Sequence, residues 1–281
     1  LRFEKRHGRN FRILYKPGLV YEHIDLNQDN PLLRNRDIRH ALVYAIDREA
    51  ISQQLFGGRQ PVAQSSVNPL DWVAAEDIPK YTYDPRKALE LLVKAGFTKL
   101  VQSVRHHKDT GEALRFEFMT TAGSKARELV QQVLQSQWKA VGIDVRIKNE
   151  PARVYFGQTV TQRKFTGLAM YAWSSAPESV PRTSLHSAHI PTEANGWAGQ
   201  NYPGFKNAEM DELIEKIEVE LDKPTRKKLW RRLQEIYVTE LPAIPLYFRA
   251  ETFIMPPWLT GVAPTGHQYP SSLWVEDWGV K

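Results

Sequence analysis

Polar and apolar residues alternate from Tyr21 to Asn27, where Tyr21, His23, Asp25 and Asn27 interleave with Glu22, Ile24 and Leu26. This predicts a short strand with one buried face. Asn30-Pro31 and the cluster Arg34-Asn35-Arg36-Asp37 break the pattern, and the period then lengthens. Ile38, Ala41, Leu42, Ala45 and Ile46 recur at helical spacing, with Asp37 or Asn35 placed to cap the helix. At Asp47 the stripe turns to another face, so Asp47 with Glu49 caps a second helix carrying Ala50, Ile51 and Leu55.

The same logic extends along the chain. Phe3 and the alternation Phe11, Ile13, Tyr15 flank His7-Gly8-Arg9-Asn10 and predict a hairpin without a partner. Residues 59–82 form a loop anchored by Trp72 and Tyr81, after which Asp84, Pro85 and the stripe Ala88, Leu91, Leu92, Ala95 make a helix stopped by Gly96. Residues 98–120 predict a second hairpin turning at Asp109-Thr110-Gly111. A helix from Ser124 to Gly142 and a strand through Ile143, Val145 and Ile147 complete a strand–helix–strand unit, which gives the chain an α/β character. A short helix over Pro151–Gln162 precedes a nearly uncharged strand, Phe165–Trp173, expected to be central and covered on both faces. Residues 174–206 form a long polar loop of the kind that often carries function. Helices from Asn207 and Pro224, then a strand Ile244–Phe248, end the legible pattern at Arg249.

With 281 residues, 42% hydrophobic and 25% charged, the chain can bury a large core as one domain or two. No apolar run reaches the roughly 20 residues of a membrane span. The absence of cysteine excludes disulfides and thiol chemistry. A net charge of +6 raises the question of nucleic acid, but Lys and Arg are scattered and no nucleic-acid partner is expected. There is no phosphate-binding glycine loop and no serine-hydrolase elbow. His186-Ser187-Ala188-His189 has metal-like spacing with only two histidines, so no metal and no cofactor is expected.

Asn27, Pro31, Asp37-Ile38-Arg39, Ala41-Leu42 and Ala45-Ile46-Asp47-Arg48-Glu49-Ala50-Ile51 occur in one register, followed by Tyr83-Asp84-Pro85, Ala95-Gly96-Phe97, Gly142-Ile143, Trp173, Asn201-Tyr202 and Leu246-Tyr247. In this order they resemble the family 5 solute-binding proteins of ABC transporters. The resemblance implies a periplasmic-binding-protein-like lobe with a mixed central sheet flanked by helices. It further implies a non-enzymatic receptor outside the cytoplasm, periplasmic or on the cell surface, that binds peptides reversibly between two lobes and delivers them to an ABC permease. A non-peptide solute, such as a nickel complex or an oligosaccharide, is the alternative, and a hydrolase the more distant one.

Family members are larger than this chain, and the resemblance places it as the second lobe. Residues 1–20 are then a hairpin of the N-terminal lobe, 21–250 the second lobe, and 251–281 a tail returning to the first. The expected crossings lie near Pro17–Tyr21 and Arg249–Thr252. In the family the strand-to-loop junction lines the ligand cleft, which nominates Tyr171, Ala172, Trp173, Ser174 and Ser175, with Asn201 and Tyr202 behind them. The competing reading puts Trp173 in the core. Where peptide-binding members carry an aspartate for the ligand's ammonium, this chain has Ala176, and Glu178 is the candidate substitute.

Overall fold

Polar caps start most helices in the computed structural model, which describes residues 2–265 and 271–281. Helix α1 (Arg2–His7) precedes strand β1 (Arg12–Leu26). Asn30 caps α2 (Pro31–Arg34), Asn35 caps α3 (Arg36–Tyr44) by accepting from Asp37 N, and Asp47 caps α4 (Arg48–Phe56). Of the two candidates for α3, Asn35 therefore serves, because Asp37 already lies inside the first turn. Asp84 caps α5 (Pro85–Lys94). There follow β2 (Lys99–Val101), β3 (Val104–His106), β4 (Arg115–Met119), α6 (Lys125–Ala140) and β5 (Asp144–Ile147). A short α7 (Ala152–Val154) runs into a π-helical turn at Tyr155–Thr159, then come β6 (Leu168–Ser174) and α8 (Arg182–Leu185). Asn207 and Asp222 cap α9 (Ala208–Val219) and α10 (Lys223–Glu240), and β7 (Ala243–Met255), β8 (Leu259–Thr260) and β9 (Gly279–Val280) close the chain.

Five strands form one mixed sheet in the order β5-β4-β6-β1-β7. β4 is parallel to both β5 and β6, whereas β1 is antiparallel to β6 and β7. The expected central strand is there, with neighbours on both sides and Leu168–Tyr171 buried. Alternation along it divides the interior. Leu168 and Met170 join Ile24, Phe116, Phe118 and Trp138 in the main core, and Ala169 and Tyr171 join Tyr155, Phe165 and Tyr202 on the opposite face.

Two expectations fail, each for a local reason, and a third holds with an addition. Residues 2–7 are helical, with Phe3 packed on His7 and Phe11 at ring distances of 4.8 and 5.6 Å, so there is no hairpin over residues 1–20. Arg12–Pro17 instead pairs with residues 250–255, so β7 runs well past Arg249. This two-stranded ribbon is partly exposed on both faces, and its second strand, residues 250–255, shows no period in the sequence. At Gly18 a methyl group would lie 2.7 Å from the Arg249 carbonyl oxygen, which glycine avoids. Residues 98–120 hold the expected turn at Asp109–Gly111, across which His107 N–H donates to the Glu112 carbonyl and Leu114 N–H to the Arg105 carbonyl, and also an unexpected hairpin, β2–β3, turning at Gln102 and Ser103 with φ of 48° and 66°. Beyond Ala113 the return strand continues as β4 into the main sheet. Leu1 and residues 266–270, parts of the expected hairpin and tail, lie outside the described residues.

Candidate ligand-binding site

Strand β6 outruns one of its neighbours. β4 accompanies it only at Leu168 and Ala169, whereas β1 pairs with it as far as Ser174. Among the described residues no strand pairs with Tyr171–Ser174 on the β4 side, which leaves a short open edge at the end of a buried strand. Such an edge offers backbone N–H and C=O groups to an extended chain.

Beyond Ser174 the chain is strapped down. The Ser175 N–H and hydroxyl both donate to the Leu19 carbonyl, at 3.0 and 2.8 Å. Glu178, with φ of 55°, donates its N–H to Asp71 at 2.6 Å. Its carboxylate accepts the Trp72 indole N–H at 2.5 Å and lies 3.3 Å from Arg226 Nε. Glu178 is thus committed to the strap, and its carboxylate is not brought into the cavity below.

That cavity, about 200 Å³, lies between the strap and the sheet, with Trp173, Ser174, Ser175 and Ala176 on its wall. Tyr21, His23 and Asp25, at every second position of β1, form another wall. Tyr21 stacks on His23 with ring centroids 5.0 Å apart, and His23 Nε2 lies 3.4 Å from one oxygen of Asp25. The Tyr171 hydroxyl donates to the other oxygen, and the Tyr21 and Tyr237 hydroxyls meet at 2.9 Å. Burial raises the pKa of all three phenols, most strongly for Tyr21 and Tyr171, so they stay protonated at neutral pH.

The nominated residues separate into two groups. Ala172 and Trp173 are half-buried and Ser174 is exposed at the open edge, with Trp173 stacked on Tyr202 at 6.2 Å. Tyr171 and Tyr202 are buried beneath them. Asn201 is 0% exposed, and its amide donates to the His186 and Phe205 carbonyls while accepting from Phe205 N, so its role is to shape the loop. Asn201→Ala should therefore cost about 2–3 kcal/mol in urea unfolding, because buried groups lose their partners. A loss below about 1 kcal/mol would refute that role.

The reading of the residues missed Tyr21, His23, Asp25 and Asp71. A signal existed, since polar side chains at every second position of a strand with buried neighbours need a polar cavity or partners. His186 is turned elsewhere: its Nδ1 accepts from Ala188 N, and its Nε2 lies 3.4 Å from Glu215. Among the described residues no group of three or more His, Cys, Asp or Glu is placed to hold a metal ion.

The family described as bacterial extracellular solute-binding proteins, family 5 Middle, matches residues 2–192. The chain belongs to this family. Among family 5 relatives, the oligopeptide-binding protein AppA of Bacillus subtilis is 30% identical over 259 residues, covering 90% of this chain and 46% of the relative. Heme-binding protein A of Haemophilus influenzae is 24% identical over 84% of this chain and 40% of its own length. The oligopeptide-binding protein of Thermus thermophilus, solved with a pentapeptide, superposes with a TM-score of 0.83 at 32% identity, over 95% of this chain and 48% of that one. The fold is thus the periplasmic-binding-protein-like lobe. The chain spans about half the length of the relatives it matches.

Proposed function

We propose that the whole protein is the solute-binding component of an ABC importer, taking up peptides outside the cytoplasm between two lobes, of which this chain supplies one, and passing them to a permease. The observation that carries the reading is the open edge of β6 at Tyr171–Ser174, beside the half-buried Trp173. An extended peptide satisfies such an edge by strand addition, and aromatic walls accept its side chains. A compact nickel complex would leave the edge unpaired.

The ends support the assignment to two lobes. The ribbon of Arg12–Pro17 with residues 250–255 leaves the sheet, and Phe3, Ile254, Trp258, Trp274 and Val280 are exposed around the two termini. Side chains of this kind are covered when another lobe packs on them. Residues before about 20 and after about 250 then belong with the other lobe. Closure of two lobes on the ligand requires no covalent chemistry.

Titration calorimetry of the full-length protein decides the reading. Peptides of several residues should bind with a negative heat-capacity change, as burial of apolar surface requires. Binding of heme or a nickel complex, with no peptide bound, would overturn it.

A further inference from the structure

The cavity beneath the strap holds about 200 Å³. Whole small ligands fill roughly 300–1,000 Å³, and one water occupies about 30 Å³, so this space suits a single side chain rather than an entire peptide. Two carboxylates line it, Asp25 on the sheet and Asp71 beside the strap, and among the described residues no lysine or arginine does, in a chain whose net charge is +6.

Both carboxylates are held but not used up. Asp25, 4% exposed, takes the Tyr171 hydroxyl and has His23 Nε2 at 3.4 Å. Asp71 accepts the N–H groups of Val73 at 3.3 Å and Glu178 at 2.6 Å. A carboxylate offers about four acceptor sites, so each retains room for a donor. The neighbouring cations are engaged elsewhere: Arg226 with Glu178 and the Ile217 and Glu220 carbonyls, and Arg48 with the Ala63, Pro245 and Tyr81 carbonyls. The rings of Tyr21, Trp173, Trp230 and Tyr237 also line it, and aromatic faces attract cations. Trp230 is 2% exposed, and its indole N–H has no partner among the described residues, so the wall also offers a buried donor.

We propose that this cavity is a specificity subsite for a basic side chain of the bound peptide, lysine or arginine, with Asp25 and Asp71 as the specificity-determining counter-charges. The proposal rests on the peptide-receptor reading. It assigns the cation to the side chain and not to the peptide's amino terminus, because the open edge of β6 holds the backbone at the rim while the cavity runs beneath the strap.

The test uses the full-length protein and an alanine tripeptide in which each position is replaced in turn by lysine or by its uncharged isostere norleucine, in free and N-acetylated forms. At one position lysine should bind about tenfold or more tighter than norleucine, whether or not the amine is blocked. Asp25→Asn and Asp71→Asn should shrink that ratio. Ser179→Lys, at the exposed rim, should abolish it by supplying a competing ammonium. The wild-type comparison stands even if Asp25→Asn fails to fold. Equal binding of lysine and norleucine at every position would overturn the subsite and leave the receptor reading intact. A preference that vanishes on acetylation would assign the cation to the amino terminus and overturn the proposal. Binding of no peptide at all would overturn both readings.

Discussion

Alkali should unfold this protein in one cooperative step between about pH 11 and pH 13. Burial raises the phenol pKa of Tyr21, Tyr81, Tyr155, Tyr171, Tyr237 and Tyr247 above the ordinary value of 10.0. The unfolded chain gives up those six protons near pH 10 while the folded chain keeps them, so stability is complete below about pH 10 and falls as the pH rises. Arg39 and Arg48 act in the opposite sense. Burial lowers both from 12.5 to about 10, so above that pH the unfolded chain binds more protons at these two sites. The raised phenols outnumber the two arginines, and each uncompensated group weighs against the folded state at roughly 1.4 kcal/mol per pH unit, so several together remove on the order of 5 kcal/mol per unit. Typical stabilities of about 5–15 kcal/mol are then exhausted within one to three units. Tyrosinate absorbance and circular dichroism should change together. Gradual ionisation near pH 10 with the helical signal intact would show that these hydroxyls are not sealed from water.

Arg48→Met should cost about 3–5 kcal/mol, because three buried carbonyls each lose a donor. The Arg48 Nη1 donates to the Ala63 and Pro245 carbonyls at 2.6 and 2.8 Å, and Nη2 donates to the Tyr81 carbonyl at 2.6 Å. One planar guanidinium thereby joins α4, the loop of residues 59–82 and β7. Methionine fills much of the volume and donates nothing, so three carbonyls lose a partner at about 1–3 kcal/mol each, with some recovery by relaxation. Arg48→Lys should recover only part of the loss, because an ammonium does not reproduce the fork. The urea midpoint should fall in both variants, with the slope of the transition unchanged. A loss below about 1 kcal/mol for Arg48→Met would mean that water already serves these carbonyls.

Helices were legible in the sequence wherever a polar cap meets an apolar stripe, because the two signals lie within a few residues of each other. Asp47, Asp84 and Asn207 were placed correctly for that reason. The β2–β3 turn was hidden because Gln102 and Ser103 adopt positive φ without glycine, whereas Gly111 marked the second turn, across which His106 pairs with Ala113. Helix α1 was readable in principle, since Phe3 and His7 are four apart, but the turn-forming residues after it dominated. Trp173, Ser174 and Ser175 were nominated through family resemblance; Trp173 and Ser174 lie at the end of β6 where its edge opens, and Ser175 lies in the strap beyond it. Asp25 and Asp71 are 46 positions apart and share no pattern; only the closure of the strap over the sheet makes them neighbours of one cavity.

The strand order has a consequence in time. β1 lies between β6 and β7, and the pairing of Asp25 with Ala243 joins residues more than two hundred positions apart. Synthesis at about 5–20 residues per second puts on the order of 10–50 s between the emergence of β1 and that of the partner that completes its pairing. Until β6 emerges β1 has no strand to pair with, and from then until β7 emerges the β7 side of β1 stays an open edge available to other chains. A product stopped before Ala243 would keep that edge of β1 open permanently, so shortening from the C-terminal side should yield aggregate rather than a smaller folded lobe.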